Sequence, residues 1–500
     1  MSSVVSAITD EKPVGPKIST LDQLSPLQKK VLVALFCLGQ FLEILNTSAI
    51  LPALPAISQA VGFTESNSVW IFAAYQATFA SFLLISGRIS DIYGPKPVFV
   101  LGSLLFGGGC LGAGFLSDHV GLIILRAIQG VGAAHTIPSS LRMIIQMMPE
   151  PKEQQWAIGL FGVAGGIANV LGTILGSLLV QFASWRWICW VIAMVALPAA
   201  IGCIFLIPAT TRHKGARVSQ LDALGVSTLI VAIVLFVYAL TTGPISGWKS
   251  GGTLAPLFLS LALFVVFFFW ESQIDEENAA LPPKLWSYPN FAVLIATGFV
   301  TSGWYIQMYM TFAPYWQNDL HWPPAIIGVK FGGRLAALGR PKFLIITSLV
   351  VILFGTFLLP FSARPHDKYW PIAFPGLVIA SAGAASVFIL TNIFIFRVTP
   401  PEKSGTVGAV FNASLQLGKA IVNTVTACVQ TFVDQRIERD GTFDGSYFQG
   451  RAAALWFFIA WIALGTVGVF IFYKQDQEVS KDVESKSESE AAAGQFAEKH

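Results

Sequence analysis

The chain has 500 residues, of which 54% are hydrophobic and only 12% are charged. A soluble domain is about one quarter charged, and a mean hydropathy of +0.65 over this length exceeds what one globular core can bury. The formal net charge of +3, with no basic tract, argues against a nucleic-acid partner and leaves the bilayer as the solvent that accepts this surface.

Residues 1–29 are polar, with Pro13, Pro16 and several lysines, and read as a disordered cytosolic tail rather than a cleaved leader. A span needs about 20 mostly apolar residues. That ruler predicts thirteen spans, at 31–55, 68–86, 97–116, 119–145, 156–182, 188–208, 221–241, 254–270, 290–315, 342–360, 370–396, 404–430 and 452–473. Residues 474–500 are again polar and read as a disordered tail. The expected fold class is an all-α polytopic membrane protein. The five cysteines (Cys37, Cys110, Cys189, Cys203, Cys428) all fall inside apolar runs and serve as small apolar fillers. No metal-ligand cluster, phosphate loop or nucleophile–base pair is legible in a span. The expectation is therefore no metal, no cofactor and no enzyme activity.

Lysine and arginine set the orientation. Lys12, Lys17, Lys29 and Lys30 precede the first span, and alternate connections carry Arg88 and Lys96, then Lys152, then Arg212, Lys214 and Arg217. The N-terminus is thereby placed in the cytosol. The alternation breaks once. Residues 325–338 are too short for a span and contain Lys330 and Arg334, yet Arg340 and Lys342 read as cytosolic. A span truncated near 323–338 restores every later loop to the side its charge favours. Internal repetition points the same way. Residues 87–96 read GRISDIYGPK and residues 333–342 read GRLAALGRPK, each before a strongly apolar span. Only the first copy is preceded by a complete span.

Within the spans, charged groups are expensive and are functional candidates by default. Glu43 stands in the first span, Arg126 in the fourth and Lys419 in the twelfth. A central arginine costs about 2.5–3.5 kcal/mol on insertion scales, so Arg126 should face the bundle interior, either organising polar partners or tied to backbone carbonyls. Gln129 lies nearly one turn on, and Gly130 and Gly132 permit close helix approach. The segment Gly87, Arg88, Asp91, Gly94, Lys96 reads as a short cytosolic turn, either an ordinary loop or a gate. Late in the chain Asn412, Gln416, Lys419 and Asn423 step along one helix face, and Gln307 sits among aromatics. Together with Asn46 these are the pathway candidates (Asn46, Gln307, Asn412, Gln416, Lys419).

These motifs resemble the major facilitator superfamily. The first is similar to its loop motif G-x-x-x-D-x-x-G-x-[KR], and Leu122 to Ala134 matches its fourth-helix motif L-x-x-x-R-x-x-Q-G-x-G-A-A. Ser184-Trp185-Arg186-Trp187 and the first-helix run from Leu45 to Ile57 resemble the fourteen-span drug:H+ antiporter branch. The wording around Ser86–Gly102 and Ile137–Ser140 resembles fungal aminotriazole-resistance and boron-efflux transporters. There are departures. Asn46 stands where the family motif has an acid, and Glu43 is the nearest substitute. In the fifth span Gly162, Gly166, Gly172 and Gly176 keep the family's glycines, but Thr173 replaces its proline and Ser177 its second paired glycine.

The resemblance implies two six-helix bundles, at 30–210 and 290–473, with a linker and two extra spans at 211–289. It implies a proton-coupled exporter of a small molecule or drug in the plasma membrane, with small-molecule substrate, protons and lipid as partners, acting as a monomer. Glu43 and Arg126 are the proton-coupling candidates. The alternatives are a proton-coupled importer, or a non-transporting protein if the truncated span is disabling.

Overall fold

The computed structural model describes residues 24–63, 70–148, 150–208, 222–274, 283–304, 341–362, 369–399, 404–440 and 448–474, with a few single residues between them. Thirteen α-helices occur among these, one for each predicted span. The first six are α1 (Pro26–Val61), α2 (Trp70–Tyr93), α3 (Pro95–Ala113), α4 (His119–Met147), α5 (Pro151–Phe182) and α6 (Arg186–Leu206). A central pair follows, α7 (Ala223–Ser246) and α8 (Gly251–Glu271). The last five are α9 (Phe291–Thr301), α10 (Pro341–Leu358), α11 (Phe374–Arg397), α12 (Ser404–Arg439) and α13 (Phe448–Phe472). No strand occurs among the described residues.

Eleven of these helices are long and apolar enough to cross a membrane. The described part of α9 is shorter, and helical residues continue at Trp304 and Gln307. α12 carries the seam from Asn412 to Asn423 and ends on Arg436 and Arg439, so it is more polar. The proposed truncated span at 323–338, with Lys330 and Arg334, and the Arg340 that follows it lie outside the described residues.

Local chemistry starts and stops the helices where the sequence allows. Ser25 caps α1: its hydroxyl accepts from the Gln28 amide at 3.3 Å, and the Gln28 side chain accepts from the Ser25 amide at 3.1 Å. Gly62, with φ +77°, ends the same helix in the left-handed region. Asp118 caps α4 and Asp222 caps α7 through the amides three residues on. One expectation is corrected here. Residues 87–96 are not a short turn. α2 runs on through Gly87, Arg88 and Asp91 to Tyr93, and only Gly94, at φ +87°, reverses the chain before Pro95 opens α3. Nothing before Gly94 breaks the backbone hydrogen bonding.

The packing repeats. In the first half α1 packs on α4, α5 and α6, and α3 packs on α4 and α6. In the second half α9 packs on α11, α12 and α13, and α10 packs on α11 and α13. The same rule relates the contacts between halves, where α4 meets α12 and α5 meets α11. α2 packs on α4 and also crosses to α12. The α7–α8 pair leans on α2 through α7, and α7 also touches α12.

Candidate functional site

Arg126 is fully buried in the first third of α4. Its Nε donates to the Ile71 carbonyl at 3.0 Å, and its Nη1 donates to Asn46 Oδ1 at 3.2 Å and Gln129 Oε1 at 2.7 Å. Asn46 Nδ2 donates in turn to Gln129 Oε1 at 3.2 Å. The guanidinium also lies over the Tyr75 ring, 4.7 Å from its centre. Tyr75 then donates its hydroxyl to Glu43 Oε1 at 2.8 Å. A chain of polar contacts therefore runs from α4 through α2 to α1. Arg126 therefore meets two polar side chains and one backbone carbonyl. Its Nη2 has no hydrogen-bond partner among the described residues.

Glu43 also opens onto a cavity of about 520 Å³. The walls come from α1, α2 and α5 on one side and from α9, α11 and α12 on the other. Glu43, Thr47, Ser48, Gln76 and Asn169 supply polarity from the first half, and Thr301, Ser302, Ser381, Gln416 and Lys419 from the second. Tyr75, Trp304, Phe388 and Phe411 supply aromatic surface. Such a mixture suits an organic molecule of modest size.

Glycine sets how closely the first-half helices approach. A Cβ on Gly176 would lie 2.2 Å from the Ala49 carbonyl oxygen, and one on Gly172 would lie 2.9 Å from Ser48 Cβ, so both hold α5 against α1. Gly130 meets Tyr75 and Thr78 of α2 in the same way, and Gly132 meets Phe106 and Gly102 of α3. Gly162 and Gly166 differ. Gly162 faces Ile389 of α11 at ordinary contact distance, Gly166 has open space before it, and both line the cavity.

The remaining candidates separate. Glu43, Gln416 and Lys419 line the cavity. Asn46 does not line it but belongs to the Arg126 network. Gln307 is not a cavity residue: its amide donates to Thr311 at 2.9 Å and it accepts from Thr426, joining the extension of α9 to α12. Asn412 donates to the Gly408 carbonyl of its own helix at 2.9 Å. Polarity alone had marked these two, and helix packing satisfies them. Lys96 Nζ donates to the Ile207 carbonyl at 2.5 Å, a cation on the C-terminus of α6. Arg88 lies within electrostatic reach of Glu271 and Asp222, at the ends of α8 and α7. The Asp91 side chain lies outside the described residues. His135 is satisfied structurally, with Nδ1 bonded to the Val131 carbonyl at 2.8 Å. Trp187 is exposed as a membrane-interface residue would be, whereas Trp185 is buried with Arg186 over its ring. Tyr75, Gln76 and Asn169 were missed. The signal was available as the adjacent polar pair Tyr75-Gln76 inside an apolar span.

The model of the Major Facilitator Superfamily matches residues 36–423. The chain belongs to the Major Facilitator Superfamily. It is thus a multi-pass integral membrane protein of a transporter family, not an enzyme. Among relatives, the puromycin resistance protein pur8 of Streptomyces alboniger is 27% identical, over 90% of this chain and 92% of its own length. The multidrug transporter mfsC of Aspergillus fumigatus is 25% identical over 76% of each chain. A low affinity ammonium transporter of Saccharomyces cerevisiae is 27% identical over 81% of this chain and 83% of its own. The human organic anion transporter MFSD10 shares the fold, with a TM-score of 0.60 at 16% identity, covering 89% of this chain and all of that one.

Proposed function

We propose that the chain is a proton-coupled secondary transporter that exports a small organic molecule across the plasma membrane. Glu43 carries the proton, and Arg126 orders the polar centre behind it. The observation that carries this reading is the position of Glu43. It lies on the wall of the central cavity and at the end of the Tyr75–Arg126 chain, so one carboxylate meets both the substrate space and a buried charge network. Bundles at 30–210 and 290–473 rock about this cavity, with 211–289 as the inserted linker and pair. The repeated packing pattern supports that division. The α2–α3 junction, with Gly87, Arg88, Asp91, Gly94 and Lys96, latches one state, supported by the electrostatic reach of Arg88 to Glu271 and Asp222 and by the bond of Lys96 to the end of α6. The chain works as a monomer, since both walls of the cavity come from it.

The relatives named for puromycin resistance and multidrug transport support export of a drug-like compound. A second reading, proton-coupled uptake, is favoured by the yeast relative named for ammonium and by Thr173 in place of the exporter proline. Inverted membrane vesicles holding the full chain separate the two. With the interior acidified, the exporter accumulates puromycin inside, and collapse of the gradient releases it. Accumulation only in right-side-out vesicles with an acid exterior would establish uptake instead. No gradient-dependent movement in either would remove the proton from the mechanism.

A further inference from the structure

Glu43 and Lys419 come from α1 and α12, line the same cavity and lie within electrostatic reach of each other. They do not form an ion pair, and among the described residues Lys419 makes no hydrogen bond to the protein. Among the described residues, the Glu43 carboxylate accepts the Tyr75 hydroxyl alone. The third cation nearby, Arg126, is already engaged by Ile71, Asn46 and Gln129 and by the face of Tyr75. One half of the molecule thus presents an unpaired anion to the cavity, and the other half presents an unpaired cation.

We propose that the substrate is amphoteric: a cationic group, such as an ammonium, for Glu43, an anionic group, such as a carboxylate, for Lys419, and an aromatic or apolar body between them. Closing the halves takes both charges out of water, and a buried charge left alone is expensive. A purely cationic ligand leaves Lys419 without a counter-charge beside it, a purely anionic one does the same to Glu43, and a neutral one leaves the two only each other, without an ion pair between them. Only a ligand carrying both signs compensates the two charges. Trp304, Phe388 and Phe411 provide the surface for its body.

The arrangement also fixes the sense of exchange, a step that rests on the proposed proton coupling. The cationic group and a proton compete for the one carboxylate, so each excludes the other. The groups facing Glu43 are Tyr75 from α2, Arg126 from α4 and Lys419 from α12. α5 offers the uncharged Gly165, Gly166 and Asn169, and α6 offers Cys203 across a small crevice.

The test uses the full chain in nanodiscs and four probes with one body. These are phenylalanyl-phenylalanine, its methyl ester, its N-acetyl form and its N-acetyl methyl ester, titrated calorimetrically. The zwitterion is expected to bind at least about ten-fold tighter than any of the others. Lys419→Gln should bring the zwitterion down to the ester, and Glu43→Gln should bring it down to the acetyl form. The wild-type comparison stands even if a variant fails to fold. An ester equal to the zwitterion, an acetyl form equal to it, or no binding by any probe overturns the proposal. The two readings fail separately. Charge selectivity without gradient-driven movement of the bound zwitterion would sink only the coupling, and gradient-driven movement without charge selectivity would sink only the amphoteric substrate.

Discussion

Tyr75 touches two charged groups of opposite sign: its hydroxyl donates to Glu43 at 2.8 Å while its ring carries the Arg126 guanidinium at 4.7 Å. One side chain from α2 thereby sets the position of the acid on α1 and of the base on α4. Tyr75→Phe removes only the hydroxyl. A hydrogen bond to a charged group contributes about 1.5–3 kcal/mol, so gradient-driven transport should fall about ten-fold with abundance unchanged. Tyr75→Leu, which also removes the aromatic face, should fall further. Initial transport rates normalised to membrane protein decide this, and a fully active Phe variant would show that the bond is incidental.

Glu43→Gln keeps the shape and the acceptor for Tyr75 but cannot exchange a proton. Movement driven by a pH gradient should vanish, while abundance in the membrane and the thermal midpoint stay near those of the unaltered chain. Retained gradient-driven accumulation would assign the proton to another group.

Arg126 makes three hydrogen bonds to separate acceptors, one of them a backbone carbonyl. Arg126→Ala should abolish transport and lower the thermal midpoint, because Asn46 and Gln129 lose their common donor in a buried site. Arg126→Lys keeps the charge without the planar fork and should recover part of the stability but little activity. Melting curves of both variants, measured beside transport, would expose a merely tolerated arginine as three indistinguishable proteins.

The fifth-helix glycines should behave differently from one another. Gly176→Ala drives a methyl group into the Ala49 carbonyl at 2.2 Å, and overpacking of this kind costs about 1–3 kcal/mol. Gly166→Ala meets open cavity and should leave stability unchanged while altering which substrates are moved. Thermal midpoints paired with a substrate panel check the contrast. Equal destabilisation of both would contradict the assignment of faces.

The helices were legible because hydropathy is a local quantity: each of the thirteen spans needs only its own residues to be read. Arg126 and Gln129 were legible for the same reason, being three positions apart on one helix. Asn46 could be noticed as a departure from the family motif, but its partnership with Arg126 crosses 80 positions and depends on how α1 and α4 are placed. Tyr75 escaped because an aromatic residue in a span reads as apolar filler until its hydroxyl is seen to find a carboxylate. Gln307 and Asn412 erred the other way. Their amides marked them as polar, yet Thr311, Thr426 and the Gly408 carbonyl satisfy them away from the cavity. The α2–α3 junction was misjudged because Gly87 resembles a turn glycine, whereas a helix with its backbone bonds intact accepts it.

The contact between α1 and α5 has a use as a molecular ruler. Gly172 and Gly176 bring the two backbones together, and Ser48 donates to Asn169 Oδ1 across the seam at 2.6 Å. Helices joined this tightly travel as one piece. Paramagnetic labels on α1 and α5 should therefore report a constant separation through the whole cycle. Labels on α1 and α12, whose facing charges belong to different halves, should report the stroke.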